Sequence, residues 1–295
     1  MRILKSMPNK DSRLPRRSLF AMLPALLTAC SAVDLLNATV PTDTYRRSEG
    51  LAYGPELRQR LDVYQPVGAG RNAPLVVFFY GGNWSSGERA DYRFVGEALA
   101  SQGIVAVIAD YRLSPAVRYP VFVEDSARAV RWARDHAAEF GADPARVFVM
   151  GHSAGAYNAA MLALDARWLR AEGMAPSQLA GWIGLAGPYD FLPIVDPKAR
   201  VAFEWPVTPA DSQPLAHASR ASPPALLLAA AEDRTVNPQR STVALATRLR
   251  ESGARVQSEL LAGVGHATLL GSMAPVLRGR APVLERVTVF VKSSG

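Results

Sequence analysis

The residues best suited to covalent chemistry are Gly151-His152-Ser153-Ala154-Gly155. They stand between an apolar run, Arg146-Val-Phe-Val-Met150, and a small-residue stretch, Ala156-Tyr-Asn-Ala-Ala-Met-Leu-Ala-Leu164. Gly-x-Ser-x-Gly between a strand and a helix is the pattern of a nucleophile elbow, where the serine occupies a sharp, strained turn. Side chains at Gly151 and Gly155 would collide with the strand or the helix, so the glycines belong to the geometry. The chemistry implied is attack of the Ser153 hydroxyl on a carbonyl carbon.

A serine hydroxyl needs a base to take its proton. In sheets that carry such an elbow, acid and then histidine follow the serine along the chain. Of four histidines, His152 lies inside the elbow and is expected to point away from the serine hydroxyl. His136 falls in a predicted helix and His217 in a loop. His266, in Gly263-Val-Gly-His266 just past the last strand-like segment, is the expected base. Asp233, at the end of Pro224-Ala-Leu-Leu-Leu-Ala-Ala230 and its following turn, is the expected acid, holding the histidine tautomer and stabilising the imidazolium. Its rivals are the adjacent Glu232, and Asp190 and Asp196 further upstream. The tetrahedral oxyanion needs backbone donors. Gly82 and Asn83, in Tyr80-Gly-Gly-Asn-Trp84 after another strand-like run, are expected to supply two, and the Ala154 amide a third.

Elements that could position these groups are visible as apolar runs without alternation. Pro74 to Tyr80, Ile104 to Ala109, Arg146 to Met150, Ala180 to Leu185 and Pro224 to Ala230 read as strands buried on both faces. Asp62 to Tyr64 and Gln257 to Leu261 read as shorter strands. Val121 to Phe140 and Pro238 to Ser252 read as helices, the second capped by Asn237 with Pro238 at its first position. The alternation predicts an α/β class, a doubly wound, mostly parallel sheet with helices on both faces and its site at the strand carboxyl ends. About 38 residues separate the strand ending at Leu185 from the one starting near Pro224, enough for a small cap only. Trp84, Tyr189 and Phe191, with Phe203 and Trp205, are candidates for its substrate pocket.

The chain carries a formal charge of +7 over 295 residues. Six basic residues against Asp11 place +5 of this in residues 1–29, leaving +2 for the rest. No basic block remains for a nucleic-acid backbone. Residues 1–29 read as an export signal: a basic stretch ending at Arg16-Arg17, then an apolar segment too short to span a bilayer as a helix. It ends Leu27-Thr-Ala-Cys30, at the chain's single cysteine, and resembles a bacterial lipobox. The expectation is a signal over 1–29, a tether over 30–44 and one domain over 45–295, with Cys30 lipidated and the protein anchored in the cell envelope. With one cysteine, no internal disulfide can form.

Together, Tyr80-Gly-Gly-Asn-Trp84, Asp110-Tyr-Arg-Leu113 with Tyr119-Pro120, Asp143-Pro-Ala-Arg-Val147, the elbow, Asp233 and His266 resemble the α/β-hydrolase esterases related to hormone-sensitive lipase. The nearest branch includes small carboxylesterases, feruloyl and acetyl-xylan esterases and kynurenine formamidase. The resemblance spans about residues 45–292 and implies the α/β-hydrolase fold and hydrolysis of a small carboxylic ester, short-chain or carbohydrate-linked, through an acyl-enzyme, with no cofactor or metal. Tyr80 departs from it, standing where that branch usually has histidine. Two other readings remain: an amidase or formamidase with the same triad, and a non-catalytic surface lipoprotein on the same fold.

Overall fold

The computed structural model describes residues 32–68 and 70–294. The expected signal and Cys30 lie outside them.

Eight strands form one sheet: β1 Tyr45–Ala52, β2 Arg60–Pro66, β3 Ala73–Phe79, β4 Val105–Ala109, β5 Ala142–His152, β6 Gly181–Leu185, β7 Ala225–Ala230 and β8 Val256–Leu261. Their order is β1-β2-β4-β3-β5-β6-β7-β8. β1 and β2, and β2 and β4, pair antiparallel, while the other neighbouring pairs run parallel. Described helices are α1 Ala32–Ala38, α2 Arg93–Ala100, α3 Val121–Asp135, α4 Ala154–Leu164, α5 Ala166–Ala171, α6 Pro197–Ala202, α7 Ala244–Glu251, α8 His266–Gly271 and α9 Val283–Ser293. Every residue of β3, β4, β6 and β7 is buried. Their runs carry no alternation because neither face meets water.

The strand order reverses around β3. β4 lies on one side of it and β5 on the other, so the loops leaving β3 and β5 flank a crevice at the carboxyl edge. Register brings the two loops level, with Phe79 beside Gly151. Every residue of α4 is buried, and the helix packs on β3, β5 and β6. Its small residues, Ala154-Gly-Ala156 and Ala159-Ala160, allow that close approach.

Several features differ from the sequence reading. β1 is an additional strand, with polar and charged residues at an edge and only β2 as neighbour. The 121–140 helix stops at Asp135, and a separate 3₁₀ turn, Ala137–Phe140, ends at Gly141 in a left-handed conformation. Within 30–44, expected as a plain tether, α1 is docked by Asn37. Its side-chain amide donates to the carbonyls of Ala90 and Asp91, and its oxygen accepts from the Phe94 amide. The Asn237 cap is present, with its side-chain oxygen accepting from the Gln239 and Arg240 amides. The helix it opens begins as a π turn, Gln239–Val243.

A Cβ on Gly155 would lie 2.0 Å from the Phe79 carbonyl oxygen. Neither backbone can yield without separating α4 from β3. Gly155→Ala is therefore expected to lower the unfolding free energy by about 1–3 kcal/mol. Urea denaturation checks this, and an unchanged midpoint would contradict the packing described.

Candidate active site

β5 runs into the elbow without a break. Ser153 has φ 54° and ψ −122°, a strained conformation for a residue with a side chain. Its amide donates to the Leu185 carbonyl at 2.9 Å, tying the turn to β6. A Cβ on Gly151 would stand 2.1 Å from the Gly155 carbonyl oxygen, so the turn closes only with glycine there.

The structure brings Ser153, His266 and Asp233 into one hydrogen-bonded line. Ser153 Oγ lies 2.9 Å from His266 Nε2, and His266 Nδ1 lies 2.7 Å from Asp233 Oδ2. The carboxylate can only accept, so Nδ1 carries the proton and Nε2 is free to accept from the serine hydroxyl. The Asp233 side chain is fully buried. Its second oxygen accepts the Thr235 and Val236 amides at 2.8 and 3.0 Å. This local turn, which short carboxylates favour, fixes the carboxylate facing the ring. The rivals are engaged elsewhere or exposed. Glu232 faces solvent, Asp190 pairs with Arg240 and Asp196 caps α6 through the Ala199 amide. His136 donates from Nδ1 to the Trp132 carbonyl and stacks on Trp132. His217 Nε2 meets the Asp211 carbonyl.

Ser153 and His266 open into a cleft of about 400 Å³, lined also by Gly81, Gly82, Asn83, Ser86, Gly87, Asp91, Tyr92, His152 and Thr235. Among the described residues, the amides of Gly82, Asn83 and Ala154 make no hydrogen bond to the protein. Gly82, Asn83 and Trp84 follow one another with φ of 122°, 50° and 54°. Positive φ at a non-glycine residue costs about 1–3 kcal/mol and persists only where the surroundings impose it.

Trp84 supplies part of that imposition. Its indole Nε1 donates to Asn158 Oδ1 at 3.0 Å, and Asn158 donates to Ser126 Oγ at 3.1 Å. The indole packs among Phe122, Tyr157, Phe191 and Phe203. At 2% exposure it does not line the cleft, contrary to the expectation that it contacts substrate. Tyr189, expected in the same role, is 0% exposed and packs edge-on to Trp182. Gly184 and Gly187 leave the space its ring fills. Phe191 is partly buried against Trp84 and Tyr157 and is not in the cleft wall either. These aromatics satisfy one another, whereas the cleft wall is built from small and polar residues. Tyr80 also turns away from the cleft, into a buried polar network.

His152 contributes more than the sequence suggested. Its Nε2 lies 3.0 Å from the His266 carbonyl oxygen, so it donates there, and the two rings are 4.8 Å apart. The elbow and the His266 loop are thus tied directly. Its place beside the serine was a sequence signal, but its partner was not legible. Burial, helped by the nearby His266, pushes the His152 pKa down from 6.5 to about 3.

The fold and the site define an α/β-hydrolase with a serine nucleophile elbow. The BD-FAE family model matches residues 61–249, well over half of the chain, and the chain belongs to the BD-FAE family. It is 35% identical over 155 residues to isoprenylcysteine alpha-carbonyl methylesterase ICME of Arabidopsis thaliana, covering 51% of this chain and 36% of that protein. It is 43% identical over 107 residues to carboxylesterase NlhH of Mycobacterium tuberculosis, covering 36% of this chain and 33% of that one. The chain thus spans about a third of the length of these two curated relatives. A propionate-bound thermophilic esterase from Thermogutta terrifontis superposes with a TM-score of 0.69 at 25% identity, over 86% of this chain and 96% of that one.

The low pKa of His152 has a sign that can be measured. Below about pH 6.5 the unfolded chain takes up a proton at this ring that the folded protein refuses until about pH 3. His152 therefore lowers stability as pH falls through that window, by at most about 1.4 kcal/mol per pH unit. His152→Gln should show a shallower fall in Tm between pH 6.5 and 4.5 than the wild type. Parallel slopes would contradict the neutral, buried assignment.

Proposed function

We propose that this chain is a serine hydrolase of carboxylic esters, with Ser153 as nucleophile, His266 as general base and acid, and Asp233 as its orienting partner. The observation that carries this is the unbroken line Ser153 Oγ, His266, Asp233 at the elbow, open to the cleft. His266 Nε2 removes the hydroxyl proton as Oγ attacks the ester carbonyl. The oxyanion formed is held by the amides of Gly82, Asn83 and Ala154. His266 then protonates the leaving alcohol. Water, deprotonated by the same ring, releases the acid and regenerates Ser153. The ester-cleaving names of ICME and NlhH support this reading.

The site favours short acyl groups on a polar alcohol, including carbohydrate-linked esters. The space beside Trp84 is filled by Phe191 and Phe203, which leaves no room there for a long acyl chain. Ser86, Asp91 and Thr235 offer the open side of the cleft hydroxyl and carboxylate partners. The propionate held by the Thermogutta esterase is a short acyl product on a related fold. We further infer that Cys30 is lipidated and anchors the enzyme in the cell envelope, on the strength of the lipobox-like Leu27-Thr-Ala-Cys30.

Hydrolysis of p-nitrophenyl acetate and longer homologues tests the reaction. Ser153→Ala should lower kcat/KM by about 10⁴-fold or more, and acetate or propionate should be preferred to octanoate. Equal rates for wild type and variant would refute the nucleophile assignment. Formylkynurenine cleaved faster than every ester would make the protein an amidase instead. For the anchor, wild type expressed in a bacterial host should partition with membranes and Cys30→Ala should not. Identical partitioning of the two proteins would refute it.

A further inference from the structure

Tyr80 begins the loop that carries Gly82 and Asn83, and its side chain belongs to a closed set of hydrogen bonds behind that loop. Its hydroxyl donates to Asp110 Oδ1 at 2.8 Å and accepts from Arg58 Nη2 at 2.7 Å. The same Arg58 nitrogen donates to the Gly87 carbonyl at 2.7 Å. One guanidinium therefore grips both ends of the 80–87 segment. Arg58 Nε donates to the Tyr111 carbonyl at 3.0 Å, and the Tyr111 hydroxyl donates to the Tyr80 carbonyl at 2.8 Å. Asp110 also takes the Arg89 amide at 2.7 Å and Arg89 Nη1 at 2.6 Å, fixing the chain just past the loop.

Ring packing closes the same unit. Tyr80 stacks between Tyr92 and Tyr111, with centroids 5.2 and 4.9 Å away. A Cβ on Gly87 would fall 2.8 Å from the Tyr80 ring, so the returning loop lies directly on it. Burial, and after it the Asp110 charge, keep the Tyr80 hydroxyl protonated by raising its pKa well above the ordinary value. It stays a donor to Asp110 at any working pH.

We propose that Arg58, Tyr80 and Asp110 form a staple that fixes the 80–87 loop, making them positioning residues for the Gly82 and Asn83 amides. Between its stapled ends the loop holds three successive positive φ values and belongs to no strand or helix. Inside it the Ser85 and Ser86 amides turn back onto the Gly82 carbonyl, and its placement beside the serine comes from its attachments. Besides the Trp84 bond to α4, the staple draws on the turn before β2, the end of β3 and the end of β4. The proposal rests on the serine-esterase reading, since a developing oxyanion is what those amides would hold.

Tyr80→Phe keeps the stacked ring and removes only the hydroxyl. Two readouts separate the staple from the esterase reading. The first is hydrogen exchange of the loop amides, which needs no activity. The Ser85 and Ser86 amides, which donate to the Gly82 carbonyl, should exchange about tenfold faster in Tyr80→Phe and in Arg58→Met, while the β5 amides keep their protection. The second is kinetic, on p-nitrophenyl acetate. Tyr80→Phe should lower kcat about tenfold with KM within about twofold, and weaken a trifluoromethyl ketone inhibitor by the same factor. The double variant Tyr80→Phe/Arg58→Met should lose no more than Arg58→Met alone, because both act through one unit. Wild-type exchange in the loop of Tyr80→Phe, or wild-type kcat and ketone affinity, would overturn the staple. A wild-type protein inactive on every ester, with faster loop exchange in the variants, would overturn the esterase reading and leave the staple standing.

Discussion

Everything in the site depends on how closely α4 approaches the ends of β3 and β5. With glycine at 151 and 155, backbone meets backbone at distances no Cβ would allow. That contact forces the sharp turn and lifts Ser153 into a conformation residues with side chains rarely adopt. It also sets the β3 loop beside the serine, so that the Ser153 hydroxyl and unpaired backbone amides from different loops share one cleft. The strain at Ser153 is held by the Leu185 carbonyl on one side and a fully buried helix on the other.

Around this turn each group of the proposed site is held from behind. Asp233 is fixed by two amides of its own turn, His266 by that carboxylate and by His152 at its carbonyl, and the β3 loop by Trp84 below and the Tyr80 network beside it. Such backing matters because base and nucleophile must stay at hydrogen-bond distance, and oxyanion donors must already be aimed before charge develops. The aromatic residues near the site serve mostly this purpose. They pack on one another and, Tyr92 apart, leave the cleft wall to glycines and polar side chains.

Much of this was legible in the sequence where physics is local. Strands buried on both faces showed as unbroken apolar runs, and the elbow showed because its turn needs glycine at two fixed positions. Asp233 and His266 could be placed because chain order maps onto neighbouring strand ends. β1 was not legible. Tyr45-Arg-Arg-Ser-Glu-Gly-Leu-Ala52 is an edge strand rich in charge, with Arg47 paired to Asp62 on β2, so it lacks the apolar signature. The pocket was not legible either, because a sequence names aromatics without saying whether they face a cleft or each other. Trp84 and Tyr189 face each other's kind. The Arg58, Tyr80 and Asp110 cluster joins residues 22 and 30 positions apart, and no local pattern announces it.

The central claim is that Ser153 is an activated nucleophile. Its most direct test is intact-mass and peptide-mapping spectrometry after exposure to a fluorophosphonate at neutral pH. The account requires one adduct per chain, located on Ser153 and slowed sharply in His266→Ala. No adduct, or an adduct on another residue with Ser153 unmodified, would contradict it.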